Sequence, residues 1–267
     1  MPFPRKVLWI VGMDTEDDEK AFVQHVNAGG IDTVCIRTST DRLPDVIGRL
    51  HRLGKKVWAW RWPGVLPEDT AKHYYAIEEA KYVASKLIPK GLDGYIVDPE
   101  SDGHSGKNKK NDWDQKKLAP LASDFCKIIK DAAQGKTFWF GTTSGCAYPS
   151  PQGKPSIPWA EFFLPSDGLY PQCYWRASVY DKKKKKEVPK DIHGGTPGKA
   201  IARGIAAWKP QSMDKPIIPM AGEIDLVTKE EIQSYGAELT KLGVTEAHFY
   251  ADLPKVTPEV LAAIKAL

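Results

Sequence analysis

Short apolar runs alternate with longer amphipathic segments from one end of the chain to the other. The short runs are rich in β-branched and aromatic residues and are bounded by Gly, Pro, Asn or Asp, which is the pattern of buried strands. They cover Lys6 to Met13, Thr33 to Arg37, Lys56 to Trp62, Gly91 to Glu100, Thr137 to Gly141, Gly168 to Tyr174, Pro216 to Met220 and Glu246 to Ala251. Between them, apolar residues recur at helical spacing. Helices are predicted over Asp17 to Asn27, Leu43 to Leu53, Glu68 to Leu87, Asp112 to Ala133, Gly198 to Trp208, Lys229 to Leu242 and Pro258 to Leu267, with a short one at Trp159 to Phe163. The punctuation agrees with these limits. Pro67 and Glu68 precede one helix and Gly91 follows it, as helix starts and stops require.

Strands separated by helices imply a parallel sheet, because each return to a parallel strand needs a crossover. Eight such units in 267 residues predict an α/β fold with a single (β/α)8 TIM barrel of eight parallel strands, occupying residues 1–267 as one catalytic domain. A doubly wound open sheet would carry a Gly-rich first turn. Val11-Gly12-Met13-Asp14 lacks it.

Barrels of this kind build their sites at the C-terminal ends of the strands. Strand one ends at Asp14, strand two at Arg37, strand three at Trp60-Arg61-Trp62 and strand four at Asp98 and Glu100. Strand five delivers Thr142, Thr143 and Ser144. Strand six offers Tyr170, Gln172, Tyr174, Trp175 and Arg176, strand seven Glu223 and Asp225, and strand eight Tyr250 and Asp252. The opposite rim consists of short Gly- and Lys-containing turns such as Leu53-Gly54-Lys55-Lys56. Aromatic rings mixed with hydrogen-bonding groups suit sugars, whose ring faces stack while their hydroxyls bond. A single tryptophan is more often core than platform. Of Trp58, Trp60 and Trp62, which share a strand face, the first is expected against helices and the last exposed.

The most telling stretch is Ile96-Val97-Asp98-Pro99-Glu100. Side chains alternate along a strand, so Asp98 and Glu100 point the same way with backbones about 6–7 Å apart. Two carboxyls that close resist double ionisation, which raises at least one pKa. An acidic turn in solvent is the plain alternative for any Asp-x-Glu.

Composition narrows the partners. A net charge of +4, from 38 basic and 34 acidic residues, is too mild for a nucleic-acid surface. Local runs at Lys107 to Lys110 and Lys182 to Lys186 could seek an anionic surface such as a bacterial cell wall, or simply be solvated loops. The four cysteines show no metal spacing, and the six histidines are scattered over helices and loops, so no metal or other cofactor is expected. His248, inside a strand, reads as a buried structural residue. No GxSxG elbow marks a serine hydrolase. No apolar run reaches a membrane span, and the N-terminal run lacks the marks of an export signal. The expectation is a soluble monomer made in the cytoplasm and released as a phage lysin or as cargo of a specialised secretion system.

These residues resemble the barrel glycoside hydrolases whose fourth strand ends in Asp-x-Glu. One such group is the family 25 lysozymes, or N-acetylmuramidases, whose additional acids on strands one and eight correspond here to Asp14 and Asp252. The other is the family 18 chitinases and endo-N-acetylglucosaminidases. Leu92-Asp93-Gly94-Tyr95-Ile96-Val97-Asp98-Pro99-Glu100 keeps the first Asp-Gly and the final Asp-x-Glu of that group's signature, with Ile96 in place of its middle Asp. Gly-Ile-Asp-Val-Ser at the first strand and Gln-Tyr on strand seven, both usual in family 25, are absent. The resemblance implies hydrolysis of a β-linked N-acetylhexosamine polymer, with peptidoglycan as the first expectation and a chitinase-like enzyme or a non-catalytic sugar-binding barrel as alternatives. Under it Glu100 is the general acid, Asp98 its helper, and Asp14 or Asp252 positions substrate or water. Tyr174, Gln172 and Tyr250 would bond the reacting sugar, Trp60, Trp62 and Trp175 line subsites, and Arg37, Arg61 and Glu223 complete the rim.

Overall fold

The structure is a computed structural model that describes residues 2–67, 75–101, 111–181, 185–251 and 255–267. Eight parallel strands close into a barrel: β1 (Arg5–Ile10), β2 (Thr33–Arg37), β3 (Lys56–Arg61), β4 (Gly94–Val97), β5 (Trp139–Gly145), β6 (Gly168–Gln172), β9 (Met220–Ala221) and β10 (Glu246–Tyr250). β1 pairs with β10 to complete the ring. The hydrogen-bonded part of the seventh barrel strand is shorter than the apolar run from Pro216, because Pro216 and Pro219 have no N–H to give the ladder. Ile218 N–H nevertheless reaches the Leu169 carbonyl at 2.8 Å.

The outer helices are α1 (Glu16–Ala28), α2 (Leu43–Arg52), α3 (Ala76–Tyr82), α4 (Ala119–Ala132), α5 (Trp159–Phe163), α6 (Pro197–Trp208), α7 (Lys229–Lys241) and α8 (Pro258–Ala266). α1 and α7 begin in capping boxes, Thr15 with Asp18 and Thr228 with Glu231, which satisfy N–H groups that have no partner within the helix. α3 runs on through a π turn at Val83–Leu87 and a 3-10 turn at Ile88–Lys90. Pro89 cannot supply an N–H to the helical ladder, so the winding changes before it. Residues 68–74, where the start of this helix was expected, lie outside the described residues. α4 begins later than the expected Asp112. Residues 112–118 form an irregular segment instead, in which Trp113 is fully buried against Phe162 and donates to the Pro63 carbonyl.

The segment after β6, expected as a long loop, contains an antiparallel hairpin of β7 (Arg176–Asp181) and β8 (Lys186–Asp191). Its short alternating pattern, with Val179 opposite Val188, is masked in the sequence by the lysine run. The hairpin is tied to the barrel end where Ile192 N–H meets the Trp175 carbonyl at 2.9 Å and Ser178 N–H meets Glu223 Oε2 at 2.6 Å.

Strand parity divides the core in two. Leu8, Ile10, Val34, Ile36, Val57, Ala59, Tyr95 and Val97 face outward and pack under the helices. Val7, Trp9, Cys35, Trp58, Trp60, Ile96, Tyr170, Ile218 and Met220 fill the interior. Trp58 therefore points into the barrel and not toward the helices, since it shares parity with Trp60. It lies parallel to Trp139 at 5.9 Å between ring centres. Gly94 makes this possible: a Cβ there would stand 2.8 Å from the Trp58 ring. Tyr170, buried, accepts a hydrogen bond from Trp139 Nε1 at 2.6 Å. His248 is fully buried as expected, bonded to Trp9 Nε1 at 3.0 Å and Glu246 at 3.1 Å. These layers fill the lower barrel, and the cavities lined by Trp9, Trp60 and Met220 or by Trp60 and Trp62 lie above them.

Candidate active site

β4 ends at Val97, and the chain stays extended long enough for Ile96, Asp98 and Glu100 to project to the interior side. Ile96 packs among the barrel aromatics. Asp98, 6 % exposed, and the half-buried Glu100 stand above it. The turn is pinned by Asp98 N–H on the Arg61 carbonyl at 2.8 Å and by Trp113 N–H on the Glu100 carbonyl at 2.9 Å.

The two carboxyls hydrogen-bond each other. Gln172 Nε2 donates to Asp98 Oδ1 at 3.1 Å. Around Glu100, Ser144 Oγ donates to the Pro99 carbonyl at 2.7 Å and stands 3.5 Å from Glu100 Oε1, while the Tyr148 hydroxyl and the Gly145 N–H favour the Glu100 carboxylate. Gly145 fits here because a Cβ would stand 2.6 Å from the Tyr148 ring. Burial pushes the Asp98 carboxyl well up from its ordinary range, and the neighbouring Glu100 charge and hydrogen bond add to this. Burial also raises Glu100, to about 7, against the opposing effect of its donors. The pair holds a proton into neutral pH and titrates as a unit.

Two cavities meet at these acids. The first, about 210 Å³, is lined by Trp9, Trp60, Asp98, Thr143, Gln172, Tyr174, Met220, Glu223 and Tyr250. The second, about 260 Å³, is lined by Arg37, Trp60, Arg61, Trp62, Asp98, Glu100 and Gln172. Trp60, Asp98 and Gln172 belong to both, so they form the ridge of one cleft. Tyr174 lies nearly parallel to Tyr250 at 5.8 Å, and Tyr250 meets the edge of Trp60. Glu223 adopts a left-handed backbone, φ 46° and ψ 54°, unusual for a residue with a side chain. That turn carries its carboxylate to the first cavity and to the hairpin.

Strand parity and loop position sort the expected residues. Asp98, Glu100, Trp60, Arg61, Trp62, Arg37, Gln172, Tyr174, Tyr250 and Glu223 converge on the cleft. Trp175 does not. It follows Tyr174, so parity turns it outward, fully buried against Tyr235 of α7. Asp14 is exposed and lies outside both linings, with its backbone N–H bonded to Asp18. Asp252 lies outside the described residues. The sequence reading missed Trp9, Met220 and Tyr148. Parity would have found Trp9, which alternates with outward Leu8 and Ile10. Tyr148 sits in an irregular Pro- and Gly-rich segment that carries no periodic signal. Among the described residues no group of His, Cys, Asp or Glu could hold a metal ion, and no helix is long and apolar enough to cross a membrane.

No family model matches the chain and no curated protein matches it in sequence. Solved structures do match in shape. A chitinase from Rhizomucor miehei superposes with a TM-score of 0.63 at 12 % identity, covering 98 % of this chain and 99 % of that one. A glycoside hydrolase family 18 N-acetylglucosaminidase from Paenibacillus barengoltzii gives 0.61 at 10 % identity, with 98 % and 99 % covered. The spore cortex-lytic enzyme of Bacillus megaterium gives 0.61 at 7 % identity, with 99 % and 75 % covered. At such identities the likeness establishes the barrel fold that this chain shares with them.

Proposed function

We propose that the protein is a glycoside hydrolase acting on β-linked N-acetylglucosamine-containing glycans, of the chitinase and N-acetylglucosaminidase kind. The observation that carries this reading is the hydrogen-bonded Asp98–Glu100 pair, raised by burial, on the ridge of an aromatic cleft at the C-terminal end of the barrel. A general acid works best with a pKa near the operating pH, and Glu100 has one. In this scheme Glu100 protonates the leaving glycosidic oxygen as the bond to the anomeric carbon breaks. Its carboxylate is then stabilised by Tyr148, the Gly145 N–H and the proton of Asp98. As the glycosidic bond breaks, the substrate's acetamido oxygen or a water bonds to the anomeric carbon, and water finally supplies the hydroxyl of the new reducing end. Asp98, which borders both cavities, accepts a hydrogen bond from the acetamido N–H and so orients that group.

A chitinase-like reading is preferred to the muramidase expected first. The family 25 pattern asks for an acid from strand one, and Asp14 is exposed and lines neither of the two cavities that meet at Asp98. The matched solved structures include chitinase and family 18 barrels. Trp60 and the Tyr174–Tyr250 stack supply apolar faces for sugar rings, and Gln172 and Thr143 supply hydrogen bonds. The deciding experiment is turnover of chitin oligomers and of cell-wall glycan by the native protein and by Glu100→Gln. Cleavage by the first and not by the second supports the reading; equal cleavage by both removes Glu100 from the mechanism.

A further inference from the structure

The second cavity brings the Arg37 guanidinium to the same lobe as the acids, with Arg61 in the wall behind it. Arg37 leaves the end of β2 and Arg61 the end of β3, neighbours in the sheet, and both line the cavity with Asp98, Glu100 and Trp62. Arg37 is half-buried, and its Nε donates to Ser39 Oγ at 2.6 Å. That bond orients the side chain through one nitrogen and leaves the terminal fork for another partner. Among the described residues Arg37 makes no salt bridge. Burial disfavours its charge, and the Arg61 charge beside it does so further, opposed by Tyr250 and by the exposed Asp14 at a distance. Arg61, itself buried, has the buried Glu79 in its field behind the strand. A cation held in this way, close to a second one and facing a cavity, is relieved by an anion that arrives with the ligand.

We propose that this lobe is a carboxylate subsite: Arg37, backed by Arg61, receives the acid group of a carboxylate-bearing glycan bound across Asp98 and Glu100. The inference rests on the glycan reading above and adds the charge of the substrate. A carboxylate fits better than a phosphate, because a dianion next to Asp98 and Glu100 would meet twice the repulsion. The proton shared by the pair keeps that repulsion small for a monoanion. Planar bidentate pairing is the geometry in which a guanidinium holds a carboxylate, and a lysine does not reproduce it. Two sugar chemistries supply such a group, an acid ether-linked to an N-acetylhexosamine and a uronic acid.

Binding to the Glu100→Gln protein separates the outcomes. The probes are a tetrasaccharide of alternating N-acetylglucosamine and N-acetylmuramic acid, a tetrasaccharide of alternating N-acetylglucosamine and glucuronic acid, the carboxyl methyl ester of each, and chitotetraose, measured by calorimetry. At least one acid is expected to bind about tenfold tighter than its own ester, the size of one charge-assisted pair. The advantage should shrink at about 0.5 M salt, vanish in Arg37→Gln on the same background, and return only in part in Arg37→Lys. Which acid shows it identifies the source. If neither acid outbinds its ester, or if the advantage survives Arg37→Gln, the subsite is refuted. An acid preference in a protein whose native form cleaves none of these glycans would keep the subsite and overturn the hydrolase; cleavage with no acid preference would do the reverse.

Discussion

The lower and upper halves of the barrel interior treat buried carboxyls in opposite ways. Below, Glu246 is paired with Arg5 at 2.7 Å and bonded to His248 at 3.1 Å, and Arg5 also lies over the Trp58 and Trp139 rings. Burial there pushes Glu246 up, but the His248 hydrogen bond and the charges of His248 and Arg5 outweigh it, so its pKa falls. Above, burial of Asp98 and Glu100 is opposed only by neutral donors, and both pKa values rise. The lower site has its ion inside the fold and serves stability. The upper one holds protonated acids beside empty volume, a state that is costly for folding and useful for proton transfer.

The largest expected effect tests the upper half directly. Glu100→Gln should lower kcat on the cleaved glycan by roughly a thousandfold, within the range for a lost general acid, with the fold unchanged by circular dichroism. Loss of less than about tenfold would make the upper pair as structural as the lower one. Next comes the lower half. Glu246→Gln should reduce unfolding free energy by about 2 kcal/mol, below the cost of breaking a fully buried pair because Arg5 is partly exposed. Urea unfolding reads this, and kcat should hold. A loss of activity without a loss of stability would break the division between the halves.

A smaller effect concerns pH. The folded Glu100 pKa of about 7 exceeds the unfolded carboxyl value of about 4.3. The folded protein therefore keeps a proton that the unfolded chain releases, and stability declines as pH rises through that interval. Thermal melts at both ends of the interval should show the decline, and Glu100→Gln should narrow it. An unchanged gap would mean that Glu100 is not held protonated. Hydrolysis should likewise fall as pH rises through about 7. The smallest effect is that of Tyr148→Phe. Removing a donor that favours the Glu100 carboxylate should move this alkaline limb to higher pH by less than about one unit. A shift to lower pH would contradict the hydrogen bond.

Much of the site was legible because strand parity is local. Trp60, Gln172, Tyr174 and Tyr250 were placed on the rim from their positions at strand ends, and Asp98 and Glu100 from a spacing of two. Trp175 was placed there by the same strand-end position, and parity, which turns it away from Tyr174, is what excludes it. Asp14 differs: it follows β1 in sequence, but the chain past Ile10 runs into the capping box of α1, and the residue stands exposed and lines neither of the two cavities. Tyr148 and the β7–β8 hairpin were invisible because irregular segments fold on tertiary contacts and not on a repeating pattern.

By itself, the sequence determined the barrel, the order of its strands and helices, and the direction in which Asp98 and Glu100 project. Those follow from hydrophobic period and chain direction, which are properties of neighbours along the chain. Only the tertiary structure decided that the two acids bond each other, that Tyr148 and Gly145 come round to Glu100, and that Arg37 and Arg61 share its lobe. Proton affinity and charge complementarity depend on solvent exclusion and on groups distant in sequence, and both exist only once the barrel has closed.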